Sequence, residues 1–277
     1  MASATQHPAR PPLAVIDSGL GGISVARALR AALPGLALIY VADLAGFPYG
    51  NRSAGDITAR SIHIIGHLQR MHGVREVVVA CNTLSTLSLA ALRAAFPAIA
   101  FTGTVPAIKV AAQESQSRRF TLLATPNTAH SPYSKSLIDQ FAQGCVVDGY
   151  GAPNLASMAE GSLLGGQYSD AQWRAEIAPC FHDDARGKTD RVILGCTHYP
   201  LVLNQLQRHA PWPVAWVDSS DAIARQALRY HTPTFGDSAA YLTDDAEQVR
   251  YAALFAREGF ATTGIMDGAL APGAARA

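Results

Sequence analysis

Short apolar runs alternate with helical patterns along most of the chain. LAVID (13–17), ALIYVAD (37–43) and REVVVAC (75–81) are nearly continuous apolar runs that contain many β-branched residues. Between them, apolar residues three and four positions apart, as in DITARSIHIIGHLQRMHG (56–73), predict helices, and Gly73 predicts the end of that one. Strands that are buried on both faces have this unbroken apolar character. The alternation therefore predicts a parallel sheet that is covered by helices on both sides.

The same order of elements recurs in the second half of the chain. FTLLATPNTAHSPYSKSLIDQF (120–141) predicts a strand, a polar turn and a helix, and RVILGC (191–196) predicts a later strand. We therefore predict two similar, doubly wound α/β lobes with parallel sheets and an active-site cleft between them. The predicted segments are a flexible tail at 1–12, a first lobe at 13–106 plus 214–260, a second lobe at 107–213 and a loose tail at 261–277.

Composition and charge exclude several classes of protein. Of the 277 residues 49% are hydrophobic, the net charge is +1, and no run of like charge predicts a nucleic-acid-binding face. No apolar stretch reaches the roughly 18 residues of a membrane span, and residues 1–15 lack the pattern of a signal peptide, which favours the cytoplasm. The four cysteines form no CxxC pair, so we expect free thiols and no zinc site.

Two of those cysteines end equivalent strands in the two predicted lobes. VVVAC ends at Cys81 and is followed by Asn-Thr, whereas VILGC ends at Cys196 and is followed by Thr-His. Ligands of parallel sheets bind at the carboxyl ends of the strands, so we expect both thiols in one cleft. A free thiol titrates at about 8.5 and can act as acid or base near neutral pH. Two thiols that face each other are suited to inverting a carbon centre, because one removes a proton and the other delivers one to the opposite face.

Other polar side chains follow the predicted strands at the same edge. Asp17 and His198 are candidates to tune or relay protons for the nearest thiol. The loop SGLGG (18–22) has neither the GxxxxGK[ST] nor the GxGxxG pattern, so we expect its backbone N–H groups to face a carboxylate. The polar strand-end residues that we expect to bind a small charged substrate are Asp17, Ser18, Tyr49, Asn82, Thr83, Thr125, Thr128, Thr197 and His198.

The motifs VIDSGLGG, PYG, ACNT, GTVPA, ATPNT, LGCTHYPL and VDS resemble those of the glutamate racemase family, in that family's order, over about residues 13–259. The resemblance implies a cytoplasmic enzyme, commonly a homodimer, that interconverts L- and D-glutamate without a cofactor or metal and supplies D-glutamate for peptidoglycan. It implies that Cys81 and Cys196 are the acid/base pair. The substrate contacts that it implies are Asp17, Ser18, Tyr49, Gly50, Asn82, Thr83, Thr128, Thr197 and His198.

One motif departs from the family's pattern. The family usually has an acidic stretch like VEEG before the second cysteine strand, and one of its glutamates assists that side. Here the stretch is SMAEG (157–161), in which Glu160 is the only acid. The resemblance therefore implies that Glu160 assists Cys196.

Three alternatives remain open from the sequence. An aspartate or hydantoin racemase would keep the thiol pair but grip a different side chain, although Ser18, the PYG loop and the THY run favour glutamate. A kinase-like phosphate-binding module would explain VIDSG followed by glycines, but it leaves both cysteine strands unexplained. A periplasmic-type binding protein would suit two lobes, but the N-terminus does not resemble a signal peptide.

Overall fold

Two parallel sheets divide the computed structural model, which describes residues 11–229 and 233–266, into two lobes. The six strands of the larger sheet are, in spatial order, β12 (Thr262–Ile265), β11 (Ala239–Leu242), β2 (Leu38–Ala42), β1 (Leu13–Asp17), β3 (Glu76–Val79) and β4 (Ala100–Gly103). The four strands of the smaller sheet are β10 (Ala215–Val217), β9 (Arg191–Gly195), β5 (Arg119–Ala124) and β6 (Val146–Gly151). A separate antiparallel hairpin pairs β7 (Asp183–Asp184) with β8 (Gly187–Lys188).

Helices connect most of these strands. They are α1 (Ile23–Ala32), α2 (Ala54–His72), α3 (Asn82–Ala95), α4 (Ile108–Glu114), α5 (Pro126–Ala129), α6 (Pro132–Phe141), α7 (Leu155–Leu163), α8 (Asp170–Ile177), α9 (Leu203–His209), α10 (Ser220–Leu228) and α11 (Gln248–Arg257). The ends of α2 follow from its sequence. The Ser53 side chain accepts a hydrogen bond from the Asp56 amide at its start, and Gly73 ends it with a φ of 62°. None of the described helices is long and apolar enough to cross a membrane.

Both faces of the larger sheet are buried, as the apolar strands predict. Successive side chains of a strand point to opposite faces. Leu13 and Val15 accordingly pack with α1, α10 and α11, whereas Ala14 and Ile16 pack with α2 and α3. The smaller sheet is also covered on both faces. The predicted doubly wound α/β fold with two lobes is confirmed.

Two predicted boundaries are wrong. The strand at 215–217 was expected in the first lobe, but β10 pairs with β9 in the second sheet, and only the following helix α10 packs on α1 of the first lobe. The tail predicted from residue 261 includes β12, which pairs with β11 at the edge of the larger sheet. Both are short edge strands. The apolar run of β10 predicts a strand but does not identify the sheet that it joins, whereas β12 (TTGI) has no continuous apolar run. The rest of that tail (267–277), and residues 1–10 of the N-terminal one, lie outside the described residues.

Candidate active site

The two cysteine-ended strands bring their thiols to the facing edges of the two sheets. Cys81 follows β3 and is the first residue of the turn into α3, and Cys196 follows β9. Both side chains are almost completely buried, with 6% and 7% of their surface exposed. All four cysteines are free thiols. A negative charge on Cys196 also contributes to the rise in the pKa of Cys81, so the two groups act on each other across the cleft.

Asp17, at the end of β1, is the carboxylate on the Cys81 side. It is fully buried and accepts hydrogen bonds from the Gly19 amide (3.0 Å) and from Thr197 Oγ1 (2.9 Å). Ser18 Oγ lies 3.5 Å from Asp17 Oδ1 and 4.0 Å from Cys81 Sγ. Because Thr197 belongs to the second lobe, this carboxylate of the first lobe is oriented by a donor from across the cleft.

Glu160, on α7 of the second lobe, is the carboxylate on the Cys196 side. Its Oε2 accepts hydrogen bonds from His198 Nε2 (2.8 Å) and from the Leu20 amide (2.9 Å), and its Oε1 accepts one from the Tyr251 hydroxyl (2.8 Å). The other ring nitrogen of His198, Nδ1, lies 3.8 Å from Cys196 Sγ. Cys196, His198 and Glu160 therefore form a buried row in which the last member is held by donors from the first lobe.

The two thiols have opposite electrostatic surroundings. Burial raises the pKa of the Cys81 thiol, and the negative charge of Asp17 raises it further, which favours the neutral thiol. Burial alone would lower the pKa of His198, but its hydrogen bonds and charge interactions with Cys196 and Glu160 hold that pKa well above the ordinary value. His198 is therefore an imidazolium at neutral pH, and a neighbouring positive charge stabilises a thiolate. The cleft thus presents a thiol beside a carboxylate on one side and a thiol beside an imidazolium on the other.

The glycine-rich turn between β1 and α1 lets the two lobes approach closely. A Cβ atom at Gly19 would lie 2.7 Å from Glu160 Oε1, and one at Gly21 would collide with His198 Nδ1. Two backbone amides of this turn face carboxylates of the protein itself: the Gly19 amide donates to Asp17, and the Leu20 amide donates to Glu160. A phosphate in this turn would meet that negative charge, which argues against the kinase-like alternative.

Hydroxyl and amide groups complete the edge of the cleft beside Cys81. The Oγ1 atom of Thr83, in the first lobe, lies 2.9 Å from that of Thr125 and 3.3 Å from that of Thr128, both in the second lobe. The Oγ1 atoms of Thr125 and Thr128 are 3.1 Å apart. The buried Nδ2 of Asn82 has no hydrogen-bond acceptor within residues 11–229 and 233–266. These groups can turn donors toward an anionic ligand.

The side chain of Tyr49 does not extend its hydroxyl toward the thiols. Its hydroxyl donates to Asp43 Oδ2 (2.6 Å), and Arg60 donates to both oxygens of the same carboxylate at 2.7 and 2.6 Å. Tyr49 therefore anchors its loop, and the backbone of that loop is what remains to contact a ligand. The next residue, Gly50, packs against Thr125, where an added Cβ would lie 2.9 Å from the threonine Cβ.

Most residues of this site are predicted from the sequence, but the sequence predicts no role for Asp43, Arg60 or Tyr251. Asp43 ends the apolar run at 37–43, so the strand-end rule applies to it and could have found it. Arg60 and Tyr251 are single residues within helices, and no local pattern distinguishes them. Their roles depend on how helices α2 and α11 pack against distant parts of the chain.

The fold and the site define a class of protein: a two-lobe α/β enzyme with a buried thiol on each side of a shared cleft and a carboxylate near each thiol. The chain belongs to the Asp/Glu/Hydantoin racemase family, whose model matches residues 23–227. The described residues contain no cluster of His, Cys, Asp and Glu side chains that could hold a metal ion.

Within this family, the individual relatives that resemble the chain are named glutamate racemases. The glutamate racemase of Sinorhizobium fredii is 48% identical over 216 residues, which are 78% of this chain and 81% of that protein. That of Brucella canis is 44% identical over 231 residues, which are 81% of this chain and 83% of that protein. The crystal structure of Escherichia coli glutamate racemase in complex with L-glutamate and the activator UDP-MurNAc-Ala superposes with a TM-score of 0.85 at 34% identity. That match covers 93% of this chain and 98% of the other.

Proposed function

We propose that this protein interconverts L- and D-glutamate without a cofactor, with Cys81 and Cys196 as the acid/base pair. The observation that carries the proposal is the pair of buried thiols in opposite electrostatic surroundings at facing sheet edges. The names of the relatives at 44–48% identity, and the L-glutamate in the E. coli complex, support glutamate over aspartate or a hydantoin.

The two thiols can invert the α-carbon by two proton transfers. The Cys196 thiolate takes the Cα proton and becomes a thiol, while the electron pair of the broken C–H bond stays on Cα and is delocalised into the adjacent carboxylate. The Cys81 thiol then delivers its proton to the opposite face, which forms the new C–H bond and leaves a thiolate. The two sulfur atoms have exchanged protonation states, so the opposite enantiomer is converted by the same groups in reverse. No electron is gained or lost by the protein.

The charges that line the cleft suit an amino acid. Asp17 is a carboxylate placed to attract the α-ammonium group, with Ser18 as a neighbouring hydroxyl. Asn82, Thr83 and Thr128 supply the amide and hydroxyl donors that a carboxylate group requires. Burial of both thiols excludes water, which strengthens each of these electrostatic interactions.

The test is racemisation in deuterium oxide, followed by circular dichroism and by mass spectrometry of the product. L-glutamate, L-aspartate and a substituted hydantoin are compared in parallel. We expect inversion of glutamate with one deuterium at Cα. The C81A and C196A variants should each lose turnover in both directions, because each step needs one sulfur atom. C145A, which removes a half-exposed thiol outside the cleft, is the matched control.

Normal turnover by C81A or C196A would eliminate the two-thiol mechanism, and inversion of aspartate or a hydantoin in preference to glutamate would reassign the substrate. We also propose that the product serves peptidoglycan synthesis in the cytoplasm, since an acid/base thiol pair must stay reduced. The homodimer implied by the resemblance stays a prediction, which light scattering on the purified protein will test.

A further inference from the structure

Tyr251 reaches the site from an element that sequence reasoning left out of it. It lies on α11, in the last part of the first lobe, and its ring packs in the lobe's hydrophobic core. Its hydroxyl donates to Glu160 Oε1 at 2.8 Å, in the other lobe. The two residues are 91 positions apart, and both are buried.

The donors around Glu160 are divided between its two oxygens. Among residues 11–229 and 233–266, Tyr251 is the one donor to Oε1, whereas Oε2 accepts from the Leu20 amide and from His198 Nε2. The terminal torsion of a glutamate has a broad energy profile, so a carboxylate held at only one oxygen can turn about its axis. A donor on Oε1 fixes the plane of the group, and with it the direction in which Oε2 meets the histidine.

We propose that Tyr251 is a positioning residue that aligns the Glu160–His198–Cys196 row, and that it does so only while the lobes are closed. The inference rests on the proposed racemase function and deepens it. Tyr251 and Leu20 are in the first lobe and Glu160 is in the second, so separation of the lobes removes both donors together. His198 can then still donate to Glu160, but the plane of the Glu160 carboxylate is no longer fixed. Closure thereby assembles the proton-transfer group of Cys196.

The Y251F variant separates this role from simple packing, because phenylalanine keeps the ring in the core and removes only the hydroxyl. We expect kcat to fall roughly tenfold, the effect of one lost hydrogen bond to a charged group, with little change in KM. The melting temperature should stay close to that of the wild type. The matched control is Y241F, a half-buried tyrosine on β11 of the same lobe whose ring lies against His72. It should keep wild-type turnover.

Kinetic isotope effects identify which of the two proton-transfer steps the substitution slows. The two enantiomers are equal in free energy, so kcat/KM must fall equally in both directions whichever thiol is impaired. With Cα-deuterated substrates, however, slowing only the Cys196 step should raise the isotope effect for one enantiomer and leave it unchanged or lower for the other. Each isotope effect compares two rates of the same protein sample, so it does not depend on the fraction of that sample that is folded and active.

A double-mutant cycle with E160Q tests whether Tyr251 acts through Glu160. If it does, Y251F should cost much less in the E160Q background than in the wild type. The proposal is overturned if Y251F matches Y241F, if its cost is the same in both backgrounds, or if the isotope effects of both enantiomers change alike. An inactive wild type would overturn the racemase function as well, whereas an active wild type with any of these results overturns the role of Tyr251 alone.

Discussion

At the scale of single residues, Cys81 and Cys196 are the same side chain with different neighbours. Burial and the nearby carboxylate of Asp17 raise the pKa of Cys81, whereas the imidazolium of His198 lies beside Cys196. The proposed reaction is symmetric in its substrates, whereas the site is not symmetric. The strand-end rule located all four residues because their positions follow directly from the ends of strands β1, β3 and β9. The charge state of His198 depends on Glu160, whose place the sequence indicated only through a family resemblance.

His198 should remain protonated through neutral pH. Its pKa is raised well above the ordinary value of 6.5. The protonated histidine therefore contributes its whole stabilising free energy below pH 6.5, and this contribution is lost as the pH rises through the raised pKa. Urea unfolding should therefore show a difference in stability between wild type and H198N that shrinks above pH 6.5. H130N, at an exposed histidine, is the control. A difference that stays constant across this range would contradict the ion pair.

At the scale of elements, the turn between β1 and α1 carries the contact between the lobes. The sequence predicts a tight glycine turn there whose amides face a carboxylate, and in the structure the Leu20 amide of this turn donates to Glu160. The continuous apolar strands were predictable because burial on both faces leaves no polar position in them. The lobe of β10 and the presence of β12 were predicted wrongly, because an apolar run does not identify the partner of a short edge strand and β12 has no such run.

The G21A variant should fold but lose most of its activity. Its new methyl group would occupy the space of the His198 ring and of Thr197, so the lobes can close only after a shift. Displacing reacting groups by about 1 Å can cost about 100-fold in rate, and we expect a loss of that order in kcat with little change in melting temperature. G55A, where an added Cβ meets nothing within 4 Å, is the control. Equal activity of the two variants would show that the close approach is not needed.

At the scale of the whole molecule, the two lobes meet around the thiols that the proposed reaction would use. Cys81 and Cys196 are buried, so we expect a substrate to reach them when the lobes separate. No sequence pattern could have predicted the closed state, since it depends on cross-lobe contacts such as that of Asp17 with Thr197. Periodicity reports the faces of single elements, and it carries no information about how two finished lobes meet.

Alkylation with iodoacetamide, followed by mass spectrometry, should rank the cysteines by access. Cys145, which is half-exposed, should react first, and Cys81 and Cys196 should react at the slower rate of lobe opening. Excess D-glutamate should slow the latter two further by holding the lobes closed. Cys180, buried in the core of the second lobe, should react only when that lobe unfolds. Labelling of Cys81 as fast as Cys145 would mean that the cleft stands open in solution.

The order of the strands has a consequence for the protein during its synthesis. The larger sheet needs β11 and β12 from the last part of the chain, whereas every strand of the smaller sheet has been translated by residue 217. On the ribosome, the second lobe can therefore finish before the first, although the first begins earlier. A nascent chain that ends before α11 already contains Cys81 and Cys196 but lacks Tyr251. We expect such a fragment to be catalytically silent until α11 has emerged.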